Sequence, residues 1–269
     1  IDYMRTLSYK LNVFDFSNQK QKVIKKINKK DSPIIEVTWA TSDKDVKEAQ
    51  KLRYKIFSQE LGANLESESK KFDYDIFDDH CEHLIVRNKI NEKVIGTYRL
   101  LTPQGAKDIG YYYSELEFDI KKILRLRKKM VEVGRACVHS DFRSGGVIML
   151  LWSELGKFME NNHYETMIGC SSVCIKDGGH NAASLYRSFY KTDKINHEFE
   201  CTPNNPLPID QLNFTLVGEA PPLLKGYLRI GAKICGKPAW DPDFNTADFL
   251  TMLNLSDIKP RYAKHFLSR

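Results

Sequence analysis

Hydrophobic and polar positions alternate along the chain with two different periods. Short apolar runs between polar turns predict strands, which fall at residues 34–40, at the end of 72–86, and at 94–101, 130–139, 166–173 and 247–255. Apolar residues three or four apart predict helices, which fall at 42–61, 145–162 and 180–190, with another beginning at Pro221 or Pro222. Elements in this order favour a mixed α/β fold built on one central sheet.

Charged residues interrupt these apolar patterns at four positions. Arg53 lies on the apolar face of the first helix, Arg99 interrupts the third strand, and Glu132 and Arg135 interrupt the fourth. The Arg53 guanidinium either reaches past the apolar face to water or points into a site. Glu132 and Arg135 form either a structural ion pair or part of a site. Residues three apart on a regular strand face opposite sides, so we predict a bulge at Gly134 that turns both toward one cleft.

The composition suits one domain, or one domain with an added lobe. The chain has 269 residues, a net charge of +6 and 42% hydrophobic residues, enough for a packed core. No apolar run reaches the roughly 18 residues of a spanning helix, and we expect no signal peptide. The six cysteines are scattered without a Cys-x-x-Cys pair. We therefore expect reduced thiols, no metal site and a cytoplasmic protein.

Positive charge is concentrated in two segments, residues 20–30 and 121–129, with six cations each. Each segment is either a solvated face or a dock for an acidic protein or an anionic membrane surface. Neither has a zinc-finger or aromatic RNA-binding motif, so we expect no nucleic-acid partner. The docking hypothesis for the second segment rests on Lys122, Arg125, Arg127 and Lys128.

A glycine-containing loop joins the fourth predicted strand to the next helix. Free backbone N–H groups at a helix N-terminus attract anions, and glycine lets a ligand approach the backbone. The loop is therefore either a cradle for a phosphate group or an ordinary turn. It consists of Arg143, Ser144, Gly145, Gly146 and Val147.

Several motifs carry a resemblance to a known family. The order of strand, Arg-x-x-Gly, helix, strand and a helix with Ala-x-Leu-Tyr resembles the GNAT acyltransferase fold. The motifs "RYKIF", "DYDIFD", "GTYRLL" and "VEVGR" are similar to those of acyl-homoserine-lactone synthases. With "EVGRACVHSDFRSGGVIMLLW" and "PPLLKGYLRIGAKICGKPAWDPDFNTADFL", the chain more closely resembles the ornithine N-acyltransferases of ornithine-lipid synthesis, once labelled hemolysin-like. The resemblance spans residues 35–267.

The resemblance implies an α/β, GNAT-like three-layer sandwich around a mixed, twisted central sheet. Residues 1–32 would form a basic N-terminal arm, 33–200 the acyltransferase core, and 201–269 a C-terminal extension packed on it. Such enzymes move a 3-hydroxy fatty acyl chain from acyl carrier protein to the α-amine of ornithine, giving lyso-ornithine lipid. Three alternatives stay open: another amino acid such as glycine, an acyl-homoserine-lactone synthase, and a membrane-binding, hemolysin-like effector without turnover.

The resemblance also implies a co-substrate rather than a tightly bound cofactor. The co-substrate is an acyl thioester on phosphopantetheine. The usual loop has glycine or alanine where this chain has Ile148, which favours acyl carrier protein over coenzyme A as the donor. We expect ornithine as the amino-acid partner. We also expect a cytoplasmic location, with peripheral contact to the inner face of an anionic membrane as an open alternative.

Roles for individual residues follow from the resemblance together with their chemistry. Glu132 is the expected base, because desolvation favours its protonated form, and Arg135 accompanies it. Tyr186 is the expected acid for the leaving thiolate, with ordinary packing as the alternative. The expected amino-acid site comprises Arg53, Phe57, Asp75, Asp78 and Arg99. The pantetheine site is expected to comprise Cys137, Val138, His139 and the loop from Arg143 to Val147.

Overall fold

The computed structural model of the protein describes residues 35–65 and 71–267. The basic segment 20–30 and the rest of the predicted arm lie outside these residues. The strands of the central sheet are β1 (Ile35–Trp39), β2 (Cys81–Asn88), β3 (Lys93–Leu101), β5 (Met130–Val138), β6 (Thr166–Cys174), β8 (Lys233–Ile234), β9 (Ala239–Asp241) and β10 (Thr246–Asn254). Their order is β1–β2–β3–β5–β6–β10–β8, and β9 also pairs with β10. A separate ribbon is formed by β4 (Phe118–Asp119) and β7 (Thr202–Pro203).

The helices are α1 (Asp43–Tyr54), α2 (Pro103–Ile109), α3 (Ser114–Glu117), α4 (Gly146–Asn161), α5 (His180–Lys191), α6 (Pro222–Ile230) and α7 (Pro260–Phe266). Four of them, α1, α4, α5 and α6, begin within a residue of their predicted positions. The side chain of Ser42 caps α1 by accepting a hydrogen bond from the N–H of Asp45. A π-helical turn, Lys55–Glu60, continues α1. None of these helices combines the length and apolar character needed to cross a membrane.

Helices cover both faces of the sheet. On one face, α1 packs Ala49 and Leu52 against Ile85 of β2. On the same face α2 packs Ala106 in the core, and α3 donates the backbone N–H of Ser114 to Glu132 of β5. On the other face, α4 packs Leu151 and Leu155 against the sheet together with α6 and α7. The sheet is mixed, because β5 and β6 run parallel while the other neighbours run antiparallel. The predicted three-layer α/β sandwich is confirmed.

β5 is irregular where the sequence predicts a bulge. Thr97 of β3 lies opposite Cys137, whereas Arg99 lies opposite Gly134, so β5 contains an extra residue between these pairs. Arg135 has a φ of +51° there, in the left-handed region that side chains other than glycine rarely adopt. The predicted bulge is confirmed, but its left-handed residue is Arg135 rather than Gly134.

β5 and β6 pair over only part of their length. The parallel ladder runs from Met130 opposite Thr166 to Glu132 opposite Ile168. A Cβ added at Gly169 would lie 2.3 Å from the carbonyl oxygen of the neighbouring β5 residue, so glycine permits this close approach. Both strands continue beyond this point without pairing to each other, and the sheet opens between them.

β10 completes the sheet on the far side of β6. It pairs antiparallel with β6 along its full length, from Thr246 opposite Cys174 to Asn254 opposite Thr166. Its other edge pairs with β8 and β9. The C-terminal segment therefore contributes an interior strand of the central sheet.

Candidate active site

A cavity of about 400 Å³ lies where β5 and β6 separate. Side chains from both faces of the sheet line it, because successive residues of a strand point to opposite faces. Its charged chamber, on the face covered by α1 to α3, is lined by Arg99, Glu132, Arg135, Cys170 and Asp248. Its apolar chamber, on the opposite face, is lined by Tyr98, Val133, Tyr227 and Leu253. The volume suits a small-molecule site.

Glu132 is buried in the charged chamber and held in a fixed position. Its carboxylate accepts hydrogen bonds from the backbone N–H of Tyr113 at 2.6 Å and of Ser114 at 2.8 Å, and from the Ser114 hydroxyl. Burial raises the pKa of Glu132, although these hydrogen bonds oppose the rise. A carboxylate has about four lone-pair sites, so one is left for a substrate proton or a water molecule.

Arg135 lies in the same chamber between two aromatic rings and two carboxylates. Its guanidinium donates to Asp73 at 3.1 Å and to Asp75 at 3.2 Å. The guanidinium carbon lies 5.2 Å from the ring centre of Tyr113 and 4.8 Å from that of Phe244. The bulge that makes φ of Arg135 positive therefore brings its side chain to the cavity.

Glu132 and Arg135 share the cavity but do not form an ion pair with each other. Each is held by its own partners, so the alternative of a structural Glu–Arg pair does not apply. Both also contact Tyr113, which donates its backbone N–H to Glu132 and offers its ring to Arg135. The two charges therefore face one space while remaining separate.

Arg53 is the centre of a buried ionic network behind the cavity. Its side chain is 0% exposed, and its guanidinium donates to the Asp73 carboxylate at 2.6 Å and to Asp78 at 2.6 and 2.9 Å. It also donates to the backbone carbonyl of Asp73 at 2.7 Å. Burial alone would raise the pKa of Asp78, but Arg53 outweighs this and holds the pKa well below its usual range. Arg53 thus neither reaches water nor lines the cavity.

Asp75 and Arg99 connect this network to the cavity. Arg99 donates to Asp75 at 2.5 Å and lies 3.4 Å from Asp78. Asp75 also accepts the backbone N–H of Phe77 at 2.9 Å, which is the turn chemistry expected of an aspartate. Of the residues expected to form the amino-acid site, Asp75 and Asp78 do not line the cavity, whereas Arg99 and Phe57 do.

The predicted pantetheine loop lies beyond the Val138 end of β5. Gly145 has a φ of +100° and caps α4, a conformation that glycine adopts without strain. Arg143 donates to the carbonyl of Val138 at 2.8 Å and pairs with Glu60 at 2.6 Å. The loop is therefore fixed to the rest of the fold, and its cation already has a carboxylate partner.

Close packing fixes the start of α4 and the end of β5 against β3. A Cβ on Gly96 would lie 2.5 Å from the Val147 side chain, so only glycine allows this approach. Cys137 is buried in the α1 layer, and the backbone N–H of His139 donates to Ile95 at 2.8 Å. None of these residues lines the cavity, and neither do Val138, Ser144 and Gly146.

The basic segment 121–129 lies at the opposite end of β5. Arg125 is exposed, forms an ion pair with Glu198 and covers the ring of Phe199. The segment ends just before Met130, which lies about 26 Å from Val138 for an extended strand. Three of its exposed cations have no ion pair among the described residues; they are Lys122, Arg127 and Lys128.

Tyr186 lies apart from these residues. It packs in an apolar cluster with Phe189, Leu207 and Ile209 and does not line the cavity between β5 and β6. The geometry favours ordinary packing, the alternative that the sequence left open, over a role as the acid for the leaving thiolate. Helical periodicity predicts that Tyr186 is on a buried face but not which cluster that face meets.

The structure also reveals site residues that the sequence analysis missed. Asp248 interrupts the apolar run of β10 as Glu132 interrupts that of β5, so the same signal could have identified it. Asp73 had no such signal, because it stands in an acidic segment with Asp75. Tyr113 and Phe244, which enclose Arg135, come from irregular segments with no hydrophobic periodicity.

Known proteins resemble this chain in sequence. Residues 52–153 match the Acetyltransferase (GNAT) domain family. The chain is 30% identical over 260 residues to an L-ornithine N(alpha)-acyltransferase of Agrobacterium fabrum, covering 86% of this chain and 85% of that protein. A protein of the same name from Brucella abortus is 30% identical over 253 residues, covering 86% of this chain and 88% of the relative.

Solved structures share the fold at low sequence identity. The structure of TofI in a ternary complex with an inhibitor and MTA has a TM-score of 0.51 and 14% identity, covering 87% of this chain and 97% of that one. The AHL synthase LasI has a TM-score of 0.51 and 11% identity, covering 87% of this chain and 95% of that one. The predicted GNAT-like fold and acyltransferase activity are confirmed. With 30% identity along most of both sequences, the chain belongs to the L-ornithine N(alpha)-acyltransferase family.

Proposed function

We propose that this protein transfers a fatty acyl chain from a phosphopantetheine thioester to the α-amine of ornithine, forming an amide. The observation that supports this best is a cavity with a charged chamber on one face of the sheet and an apolar chamber on the other. An amino acid fits the first chamber and an acyl chain the second. Their reacting groups would meet at the opening between β5 and β6. The relatives' name, L-ornithine N(alpha)-acyltransferase, supports ornithine as the amine.

Glu132 is the proposed base of the reaction. The α-amine arrives as an ammonium ion and must lose a proton before its nitrogen can attack the thioester carbonyl. Glu132 accepts this proton, directly or through water, and its raised pKa makes it a better base than an exposed glutamate. The new C–N bond then forms, the C–S bond breaks, and the thiolate leaves with the pantetheine arm.

Arg135 and Arg99 are the proposed partners of the amino acid's carboxylate. Both line the charged chamber, and a guanidinium can bind a carboxylate with two parallel hydrogen bonds. Phe57 would form a wall beside them. Arg53 and Asp78 would act indirectly, because their buried network supports Asp75, which contacts both cavity arginines.

Pantetheine is proposed to bind along the Val138 end of β5 and at the N-terminus of α4. Cys137, His139 and the loop Arg143–Val147 lie at or just beyond this end of β5, and the α4 dipole favours a phosphate there. Arg143 is already paired with Glu60, and Ile148 follows the loop. The loop therefore offers little free charge to a pyrophosphate, which favours a carrier protein over coenzyme A.

The acidic carrier protein is proposed to meet Lys122, Arg127 and Lys128, together with Arg125, in an initial encounter; these residues lie at the Met130 end of β5, away from the proposed pantetheine site, so this contact would precede the bound state. These exposed side chains offer positive charge with few intramolecular partners, and such a surface attracts an acidic protein. The same charges would also attract an anionic membrane, so the two partners require separate measurements.

The activity is tested with purified acyl carrier protein loaded with a 3-hydroxyacyl chain. Free thiol and product mass are followed with ornithine, glycine and other amino acids. We expect thiol release matched by an acyl-ornithine amide. Release of no thiol with ornithine or any other amino acid would contradict the proposal. Glu132→Gln should lower the rate, whereas Glu82→Gln, an exposed position on neighbouring β2, should not.

Carrier docking is tested by reversing the charge of Lys122, Arg127 and Lys128 together. We expect a higher KM for the acyl carrier protein and an unchanged KM for a soluble acyl-pantetheine. Reversal of the exposed Lys44, Lys47 and Lys107 is the control. An unchanged carrier KM would refute docking at this segment, and sedimentation with anionic vesicles then measures membrane contact.

A further inference from the structure

We propose that Asp248, supported by Glu117, binds the second ammonium group of a diamino acid in the charged chamber. The inference rests on the proposed function and adds the residues that distinguish ornithine from an amino acid with one amine. Asp248 lines the cavity and is 4% exposed. Glu117 ends α3 immediately behind it.

The two carboxylates form a compact group with Cys170. One oxygen of Glu117, one oxygen of Asp248 and the Cys170 sulfur all lie within 4.8 Å of one another. Asp248 accepts a hydrogen bond from the Thr246 hydroxyl at 2.8 Å and another from Ser172. In contrast, the Oε2 atom of Glu117 is buried and accepts no hydrogen bond from the described residues. When Glu117 is protonated, it shares its proton with Asp248, and a ligand cation would replace that proton.

The charge balance of this group is incomplete without a cation. Burial and the neighbouring negative charge of Asp248 raise the pKa of Glu117 to about 9, and burial raises that of Asp248 to about 6. The pair therefore retains a proton near neutral pH, because two adjacent carboxylates resist ionising together. The positive charge of Arg135 opposes the rise in the pKa of Glu117, but its guanidinium is already bound to Asp73 and Asp75.

Short contacts connect Glu132 to the acidic pair. Ser114 donates its hydroxyl to Glu132, and the same oxygen lies 3.7 Å from the Cys170 sulfur. The Ser114–Cys170 pair thus stands between Glu132 and the group formed by Glu117 and Asp248. The two amines of extended ornithine are about 6 Å apart, from ordinary bond lengths. With the α-amine near Glu132, the side-chain ammonium would reach Asp248.

The chamber would then bind each charge of the substrate with a different group. Arg135 and Arg99 would face the carboxylate, Glu132 the reacting amine, and Asp248 with Glu117 the side-chain ammonium. Norvaline, which is ornithine without its second amine, would leave the acidic pair without its cation. A site built to bond a polar group discriminates strongly against an analogue that lacks it.

The first experiment compares kcat/KM for ornithine and norvaline. The wild type should favour ornithine, and Asp248→Asn and Glu117→Gln should each lower the ornithine-to-norvaline ratio by about 100-fold. Asp243→Asn, at an exposed aspartate near the start of β10, should leave the ratio unchanged. Thermal melting verifies that each variant is folded. A ratio unaltered in both folded acidic variants would overturn the inference.

The second experiment measures protons released on binding, which needs no turnover. An ammonium beside the acidic pair should lower the pKa of Glu117, so ornithine should displace its proton near pH 7.5. Titration calorimetry in buffers of different ionisation heat should detect release with ornithine, none with norvaline, and less with Glu117→Gln. Equal release with both ligands would contradict the assignment.

The two hypotheses fail in different ways. If the wild type acylates no amino acid, the proposed function fails. If it acylates ornithine and norvaline with equal kcat/KM, only the ammonium site fails.

The Glu117–Cys170–Asp248 group could also hold a metal ion. Activity that is lost with a chelator and restored by zinc would therefore overturn the ammonium assignment, and retained activity supports it.

Discussion

Replacement of Arg53 by methionine tests the buried ionic network most directly. The guanidinium makes four hydrogen bonds with Asp73 and Asp78, whose side chains are 3% and 1% exposed. Methionine fills much of the space but leaves both carboxylates without their main partner. Removal of one member of a buried ion pair costs about 3–5 kcal/mol. Arg135 remains 3.1 Å from Asp73 and Arg99 3.4 Å from Asp78, so we expect the lower end, about 3 kcal/mol.

Urea unfolding at several pH values provides the assay. Arg87→Met is the matched control, because Arg87 also bridges two carboxylates, Asp45 and Glu48, but near the surface. We expect it to lose no more than about 1 kcal/mol. Equal losses for the two variants would refute the importance of burial.

The pH dependence of the Arg53→Met effect has a definite sign. The pKa values of Asp73 and Asp78 are lowered in the folded protein: burial opposes this, but the nearby arginines outweigh it. Such groups contribute stability above the unfolded pKa of about 3.9, and this contribution is lost as pH falls. The difference between wild type and Arg53→Met should therefore shrink below about pH 4. A difference that stayed constant would show that lost packing, rather than lost charge, destabilises the variant.

Three further changes test other parts of the site. Glu132→Gln should slow amide formation about 100- to 10,000-fold. It should also abolish the acidic limb of the pH–kcat/KM profile, which should lie above pH 4.3 because burial raises the pKa of Glu132. If the variant kept this limb, the limb would belong to another group. Gly169→Ala should lower the free energy of unfolding in urea by about 1–3 kcal/mol, because its Cβ would lie 2.3 Å from a β5 carbonyl oxygen. The control Gly134→Ala should be neutral, because its Cβ would meet nothing within 4 Å. Equal losses for the two variants would contradict this packing. An alkylating reagent, with labelling followed by mass spectrometry, should modify exposed Cys174 first and leave Cys137 unmodified. The reason is that burial raises the pKa of Cys137 to about 12. Early labelling of Cys137 would show that β5 opens.

The sequence predicts most of the fold because its elements are strongly patterned. Strand β5 and helix α4 occur within a residue or two of their predicted positions, and Ser42 caps α1 as expected. Glu132 and Arg135 were identifiable because charges are costly within apolar strands. The bulge also followed from simple geometry, since two side chains three apart cannot otherwise face one cleft.

The remaining parts of the site depend on contacts that sequence periodicity does not record. The backbone N–H groups of Tyr113 and Ser114 hold Glu132, and any residues in that turn could provide them. Asp73 binds Arg53 across twenty residues of sequence. Because other acidic residues surround Asp73 in the sequence, no pattern distinguishes it from them. Tyr186 is buried as expected, but the position of the cavity depends on where β5 leaves β6, which is a property of the whole sheet.

The position of β10 has a consequence for the synthesis of the protein. Until Thr246–Asn254 has emerged from the ribosome, the edge of β6 that pairs with β10 stays open. Exposed strand edges invite pairing with other chains, and translation at about 5–20 residues per second leaves this edge open for seconds. Asp248 also arrives with this strand, so the nascent chain has an incomplete cavity as well as an incomplete sheet. Chaperone protection of the unfinished chain therefore matters more here than in a protein whose central strands are all made early.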